Sequence, residues 1–297
     1  MDKPPTWIFA WPEQEALGRS IATRLGLKPG VAELRRFPDG ESYVRVLSPV
    51  AGEGAVVLAS LDRPDAKLVS LLWLLETLRD LGARRVVLAA PYLAYLRQDT
   101  RFQEGEGVTS RYCAKLLSSA FDALLTVEPH LHRYASLDEI YTIPSRRVGV
   151  APELAAYIRT RVESPFLLGP DRESEQWVSQ VAELCGAPFA VAEKTRHGDR
   201  SVAIRLPDLE RFRGRQPVLV DDILSTATTM IEALSLLKKA AWPAPLCVGV
   251  HGLFAGEAYA ALLAAGPAGV ATCNGVPHSS NAIDISEACA RALEGLL

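Results

Sequence analysis

The chain has 297 residues, 48% of them hydrophobic and 23% charged, with a net charge of -3 from 32 basic and 35 acidic side chains. That length favours two domains over one, and the ordinary composition excludes disordered, collagen-like and coiled-coil chains. No basic excess points to nucleic acid, and the longest apolar run, 11 residues from Val86 to Leu96, is too short to span a membrane.

In chain order, Glu33–Phe37 and Glu41–Leu47 flank Pro38-Asp39-Gly40, a turn signal that joins two strands. Strand candidates follow at Ala55–Ser60, Arg85–Ala90, Ala123–Val127, Pro165–Gly169, Pro188–Ala192, Gln216–Val220, Pro245–Val250 and Gly269–Cys273. Amphipathic stretches lie between them at Asp65–Leu81, Thr109–Ala120, Glu173–Cys185, Thr226–Ala240 and Gly256–Ala264. Near-continuous apolar strands separated by helices predict parallel sheets covered on both faces. The expectation is a doubly wound α/β architecture, with ligands beyond the carboxyl ends of the strands. The rhythm breaks over Pro144–Val150, which divides the chain into 1–147 and 148–297, the last helix able to pack back.

The five cysteines, Cys113, Cys185, Cys247, Cys273 and Cys289, are at least 16 positions apart and show no zinc spacing. Buried free thiols, and no basic-then-apolar leader at Met1–Pro5, lead to the expectation of a cytoplasmic protein.

The segment most informative about chemistry is Val218–Met230. It reads as a buried strand, the acidic pair Asp221-Asp222, a loop of small hydroxyl residues, and a helix beginning near Thr226. Free N–H groups at a helix start attract phosphate, and Ser225, Thr226, Thr228 and Thr229 add donors without bulk. The carboxylates suit the vicinal hydroxyls of a sugar, so a phosphosugar fits.

This segment resembles the phosphoribosyl diphosphate loop of type I phosphoribosyltransferases and of the ribose-phosphate diphosphokinases (phosphoribosyl diphosphate synthases). Those families usually carry Thr-Gly-Gly-Thr where this chain has Thr226-Ala227-Thr228-Thr229. The first residues of a helix require no positive φ, so the added Cβ atoms are expected to be tolerated.

The N-terminal half separates the two families. Phe37-Pro38-Asp39-Gly40-Glu41 is similar to the synthases' nucleotide segment, which implies an adenine ring stacked on Phe37 with Asp39 and Glu41 as acceptors. Tyr95-Leu96-Arg97-Gln98-Asp99 resembles their Tyr-x-Arg-Gln-Asp, implying that Arg97 meets phosphate and that Gln98 and Asp99 fix the nucleotide. Thr126-Val127-Glu128-Pro129-His130 stands where the family has Thr-x-Asp-x-His, implying that His130 helps hold Mg2+ and contacts the triphosphate. His132 faces the opposite side if the chain stays extended, and is given no role. Glu193–His197 resembles the catalytic loop, implying that Lys194 and Arg196 close over the transferring group. Leu168–Asp171 resembles Ser-Pro-Asp, implying a second metal residue, Asp171. The next three residues depart from the family's Ala-Gly-Gly: Arg172-Glu173-Ser174 sets a carboxylate near a diphosphate, with Arg172 as a new cationic partner.

The resemblance covers nearly the whole chain. It implies two related domains of the type I phosphoribosyltransferase-like fold, the first contributing ATP contacts and the second binding ribose 5-phosphate through Asp221, Asp222, Ser225, Thr226, Ala227, Thr228 and Thr229. The implied reaction, a step in nucleotide biosynthesis, transfers diphosphate from ATP to the anomeric hydroxyl of ribose 5-phosphate with Mg2+, in a homo-oligomer (dimer or hexamer). Two alternatives stand beside it: a non-catalytic regulatory subunit, favoured by Arg172-Glu173-Ser174, and a phosphoribosyltransferase, which needs no ATP segment. P-loop, nucleophile-elbow and zincin motifs are absent.

Overall fold

The computed structural model describes residues 6–170, 174–197 and 201–297, with only the backbone described at 194–197 and 201–204. The chain divides into two units, 1–149 with 286–297, and 150–285.

In the first unit the order is β1 (Thr6–Ala10), α1 (Glu15–Leu25), β2 (Lys28–Pro29), β3 (Ala32–Arg36), β4 (Ser42–Val46), β5 (Gly54–Leu58), α2 (Pro64–Asp80), β6 (Arg85–Ala90), α3 (Thr109–Ala120), β7 (Ala123–Val127) and β8 (Ser145–Val148). The second contains α4 (Ala151–Arg161), β9 (Pro165–Gly169), α5 (Glu175–Cys185), β10 (Phe189–Val191), β11 (Glu193–His197), β12 (Ser201–Arg205), β13 (Gln216–Leu224), α6 (Thr228–Lys239), β14 (Leu246–Gly252), α7 (Ala258–Ala264), β15 (Gly269–Cys273) and β16 (Asn281–Ile283). The last helix, α8 (Ser286–Glu294), belongs to the first unit. Arg24 of α1 donates to Ser286 Oγ at 3.2 Å, and Arg85 donates to the carbonyl of Leu296 at 3.0 Å.

Each unit holds one six-stranded parallel sheet, in the orders β2-β1-β5-β6-β7-β8 and β10-β9-β13-β14-β15-β16. The two orders are the same pattern, and each unit inserts an antiparallel hairpin, β3–β4 or β11–β12, before its fifth strand in chain order. Two copies of one doubly wound plan make up the chain. The apolar strands explain why: every residue of β7, β9 and β14 is buried, as a parallel sheet covered by helices demands. Phe166 packs against both Phe212 and Trp242 within the second core, with centroids 5.2 and 5.1 Å away.

The strand at Thr6–Ala10, the short β2, β8 and β16, the β11–β12 hairpin, and the helices α1 and α4 are additions to the sequence-based strands and helices. The helix expected from Thr226 starts two residues later, at Thr228. The strand expected to stop at Val220 runs to Leu224.

Candidate functional site

The motifs of the first unit gather at strand ends and are tied together by side chains. In the β3–β4 hairpin, the Phe37 N–H donates to Glu41 O at 2.8 Å, and the Asp39 carboxylate accepts the Glu41 N–H at 3.2 Å. Gly40 takes φ +95°, a turn conformation that a side chain resists. Phe37 is exposed and meets Tyr43 edge-on at 5.8 Å, while the Arg35 guanidinium lies 4.7 Å from the Phe37 centroid. An open aromatic with a cation and two acidic residues nearby is suited to a heteroaromatic base.

Arg36 carries this hairpin to α2, donating to Ala66 O at 2.7 Å, and Ser42 and Ser70 share a 2.8 Å hydrogen bond. Beside Ala66, Asp65 accepts the hydroxyl of Tyr95, in the loop after β6. Burial, then that acidic neighbour, pushes the Tyr95 phenol up to about 12. Arg97 is exposed. Gln98 accepts from the Thr109 hydroxyl through Oε1 at 3.0 Å, which fixes its amide with the NH2 as the donor side. Asp99 is buried and takes Arg133 at 3.0 and 3.3 Å. Its carboxylate thus ties this loop to the one after β7.

His130 follows β7 beyond Glu128, whose carboxylate is buried and held by Arg147 at 2.7 Å. Glu128 has φ +33°, so the chain bends here instead of staying extended. The chain also bends at His132 and Arg133, so the extended geometry that would put the two histidines on opposite sides is not kept: the His132 ring stands 3.8 Å from that of His130, with His132 Nε2 3.3 Å from His130 Nδ1. Sequence spacing carried no sign of this contact, because it depends on a backbone angle.

In the second unit, Asp221 and Asp222 sit inside β13, with Asp221 opposite Gly249. Asp221 Oδ1 accepts the Asp222 N–H at 2.9 Å, so that side chain leans along its own strand. The close fit of strand to strand requires glycine at 249, since a Cβ there would come within 2.7 Å of Leu224.

The loop between β13 and α6, Ser225–Ala227, brings the main correction. Ala227 caps α6 at φ +55°, in the left-handed region, contrary to the expectation that no positive φ is needed. Alanine therefore holds a strained conformation at a position where glycine would be at ease. Its methyl is buried in the second core with Leu224, Met230 and Phe254. Thr228 Oγ1 donates to Thr226 Oγ1 at 3.1 Å. Behind the loop, the N–H groups of Phe254 and Ala255 donate to Leu224 O and Ser225 O at 2.9 and 3.0 Å, bracing it from the end of β14. Thr226 and Thr228 are exposed.

Lys194 and Arg196 lie on β11, in register with Ile204 and Val202 of β12. Asp171, Arg172 and Glu173 lie outside the described residues. Among the described residues no cluster of three or more His, Cys, Asp or Glu side chains is placed to hold a metal ion, and no helix is long and apolar enough to cross a membrane.

The N-terminal domain of ribose phosphate pyrophosphokinase matches residues 6–120, and the phosphoribosyl transferase domain matches residues 136–286. The ribose-phosphate pyrophosphokinase of Sulfolobus acidocaldarius is 35% identical over 269 residues, covering 88% of this chain and 91% of that one. That of Methanopyrus kandleri is 34% identical over 291 residues, covering 97% and 99%. A crystal structure of phosphoribosylpyrophosphate synthetase from Mycobacterium smegmatis shares the fold, with a TM-score of 0.85 and 24% identity over 98% of each chain. With the N-terminal match excluding a lone transferase domain and the relatives aligned over most of their length, the chain belongs to the ribose-phosphate pyrophosphokinase family, enzymes of the transferase class.

Proposed function

We propose that this enzyme transfers the diphosphate of ATP to the anomeric hydroxyl of ribose 5-phosphate, releasing AMP. The observation that carries this reading is the run from Asp221 to Thr229: carboxylates for sugar hydroxyls, then a loop of exposed threonines against the start of a 12-residue helix. N–H groups at that helix start, joined by the Thr226, Thr228 and Thr229 hydroxyls, suit the 5-phosphate. Asp222 and Asp221 receive the ribose hydroxyls.

The nucleotide is assigned to segments of the first unit. Phe37 stacks on the base, Asp39 and Glu41 accept from it, and Arg97 with the Gln98 amide reaches the phosphates. Asp99 acts through its pairing with Arg133, keeping Arg97 and Gln98 in place. Lys194 and Arg196 stabilise charge on the transferring group, and His130 contacts the triphosphate.

The described side chains offer no ready metal cage. One imidazole and one carboxylate suit magnesium, which keeps waters and takes most of its oxygen ligands from substrate phosphates. His130 and Asp171 would be the protein's share, and the ion when bound would neutralise phosphate charge and orient the β-phosphorus. The five free thiols fit a reducing, cytoplasmic setting. The same reading carries a homo-oligomeric working form, which sedimentation equilibrium measures directly.

The test is AMP release from ATP, with and without ribose 5-phosphate. Release that requires the sugar and yields its 1-diphosphate is expected; ATP left intact would return the chain to a regulatory role.

A further inference from the structure

His132 pairs with His130 and has no part in the reaction outlined above. The segment carrying them is fastened at both ends. Upstream, the Glu128 N–H donates to Val148 O at 3.0 Å and its carboxylate is held by Arg147. Downstream, Arg133 is held by Asp99. Between these anchors the chain is bent at His132 and Arg133, and the two imidazoles lie on the same side. Their rings are 3.8 Å apart at 53°, and the nitrogens that meet are Nδ1 of His130 and Nε2 of His132.

A neutral imidazole carries one donor and one acceptor nitrogen, so one hydrogen bond at Nδ1 decides the role left to Nε2. A ring with an unfixed tautomer divides its population between two forms, of which a given contact uses one. We propose that His132 is a positioning residue: it occupies His130 Nδ1, holding the ring in a single orientation and tautomer so that Nε2 is the atom presented to the triphosphate. This rests on the reading of His130 as a triphosphate contact. It goes beyond that reading in naming the atom used and the residue that selects it. His132 touches no substrate and acts through His130, as a partner on the far nitrogen commonly does for a working histidine.

Two measurements test it. First, His132→Ala should lower kcat roughly three- to tenfold, the scale of one neutral hydrogen bond, with the KM for ribose 5-phosphate unchanged. His132→Gln, whose amide offers both a donor and an acceptor, should restore most of the rate. In a His130→Ala background the same His132→Ala change should cost nothing more. An equal loss in both backgrounds would overturn the proposal, since it would show His132 acting on the loop as a whole. Second, in 15N-histidine-labelled protein at about pH 8.5, above the ordinary histidine range, His130 should show one tautomer that becomes a mixture in His132→Ala. An unchanged tautomer would equally overturn it. If His130→Ala keeps full activity, the assignment of His130 to the triphosphate falls, while the nitrogen spectrum still decides whether His132 holds it.

Discussion

Arg133 Nη1 stands 3.0 Å from Asp99 Oδ1, joining the loop after β7 to the loop after β6. The carboxylate is 3% exposed and the guanidinium 55%, so the pair is neither a surface bridge nor a fully buried one. Surface pairs contribute about 0–1 kcal/mol, whereas stripping the partner from a buried charge costs about 3–5 kcal/mol. Arg133→Ala should fall between, at about 1–3 kcal/mol by equilibrium urea unfolding, and should raise the KM for ATP more than that for ribose 5-phosphate. A KM effect confined to the sugar would contradict the anchoring role of Asp99.

Lys194→Ala should lower kcat strongly while leaving ribose 5-phosphate affinity nearly intact. A contact made chiefly in the transition state affects rate and not ground-state binding. Steady-state kinetics paired with calorimetric titration of the sugar checks both halves.

Asp222→Ala should weaken ribose 5-phosphate binding by about 1.5–3 kcal/mol, the range of a hydrogen bond to a charged group. Nucleotide affinity without sugar should change little. The 2-deoxy sugar should bind wild type poorly and lose less on mutation. Titrating both sugars into both proteins yields the coupling, and simple additivity would remove Asp222 from the ribose contact.

Ala227 presents opposing terms of similar size. Glycine would relieve about 1–2 kcal/mol of left-handed strain. It would also lose about 0.8 kcal/mol of methyl burial and add about 0.5–1 kcal/mol of chain entropy. Ala227→Gly should therefore lie within about 1 kcal/mol of wild type by urea unfolding. Ala227→Val, β-branched in the same conformation, should be clearly destabilised. A gain well above about 1 kcal/mol for glycine would mean the methyl contributes nothing to the core.

Thiol chemistry and pH should follow burial. Cys113 is pushed up to about 11 and Cys247 to about 12 by burial, while Cys185 is the one only partly covered. Iodoacetamide followed by mass spectrometry should find Cys185 labelled first and the other four only on unfolding. For Tyr95, Cys113 and Cys247 the folded form prefers the neutral group. That stability is complete below the ordinary thiol and phenol values of 9.0 and 10.0 and is lost as pH climbs towards about 11–12. Burial moves His278 the other way, lowering it from 6.5; its contribution is present above that value and is lost as pH falls through the folded value. A urea midpoint that rose above about pH 10 would contradict the first statement.

Much was legible in the amino-acid sequence because it is local. Apolar runs such as Arg85–Ala90 and Ala123–Val127 can be satisfied only as buried strands, and they occupy β6 and β7 with the expected bounds. The order of motifs, from Phe37 to Thr229, was enough to select the family, since each combines residue types that serve one ligand group. Thr6–Ala10 went unread because it follows two prolines, and its pairing with Gly54–Leu58 supplies what local pattern lacks.

Tertiary structure decided what depends on distant partners or on single backbone angles. Asp99 is paired because Arg133, 34 positions away, reaches it. His132 came to His130 through a backbone bend at His132 and Arg133, and Ala227 took a conformation that residue type alone argued against. Helix α8 joined the first unit through Arg24 and Arg85, contacts between residues more than 200 positions apart. Periodicity reports which side of an element is buried; it holds no information about which remote side chain will meet it, and packing chooses that partner.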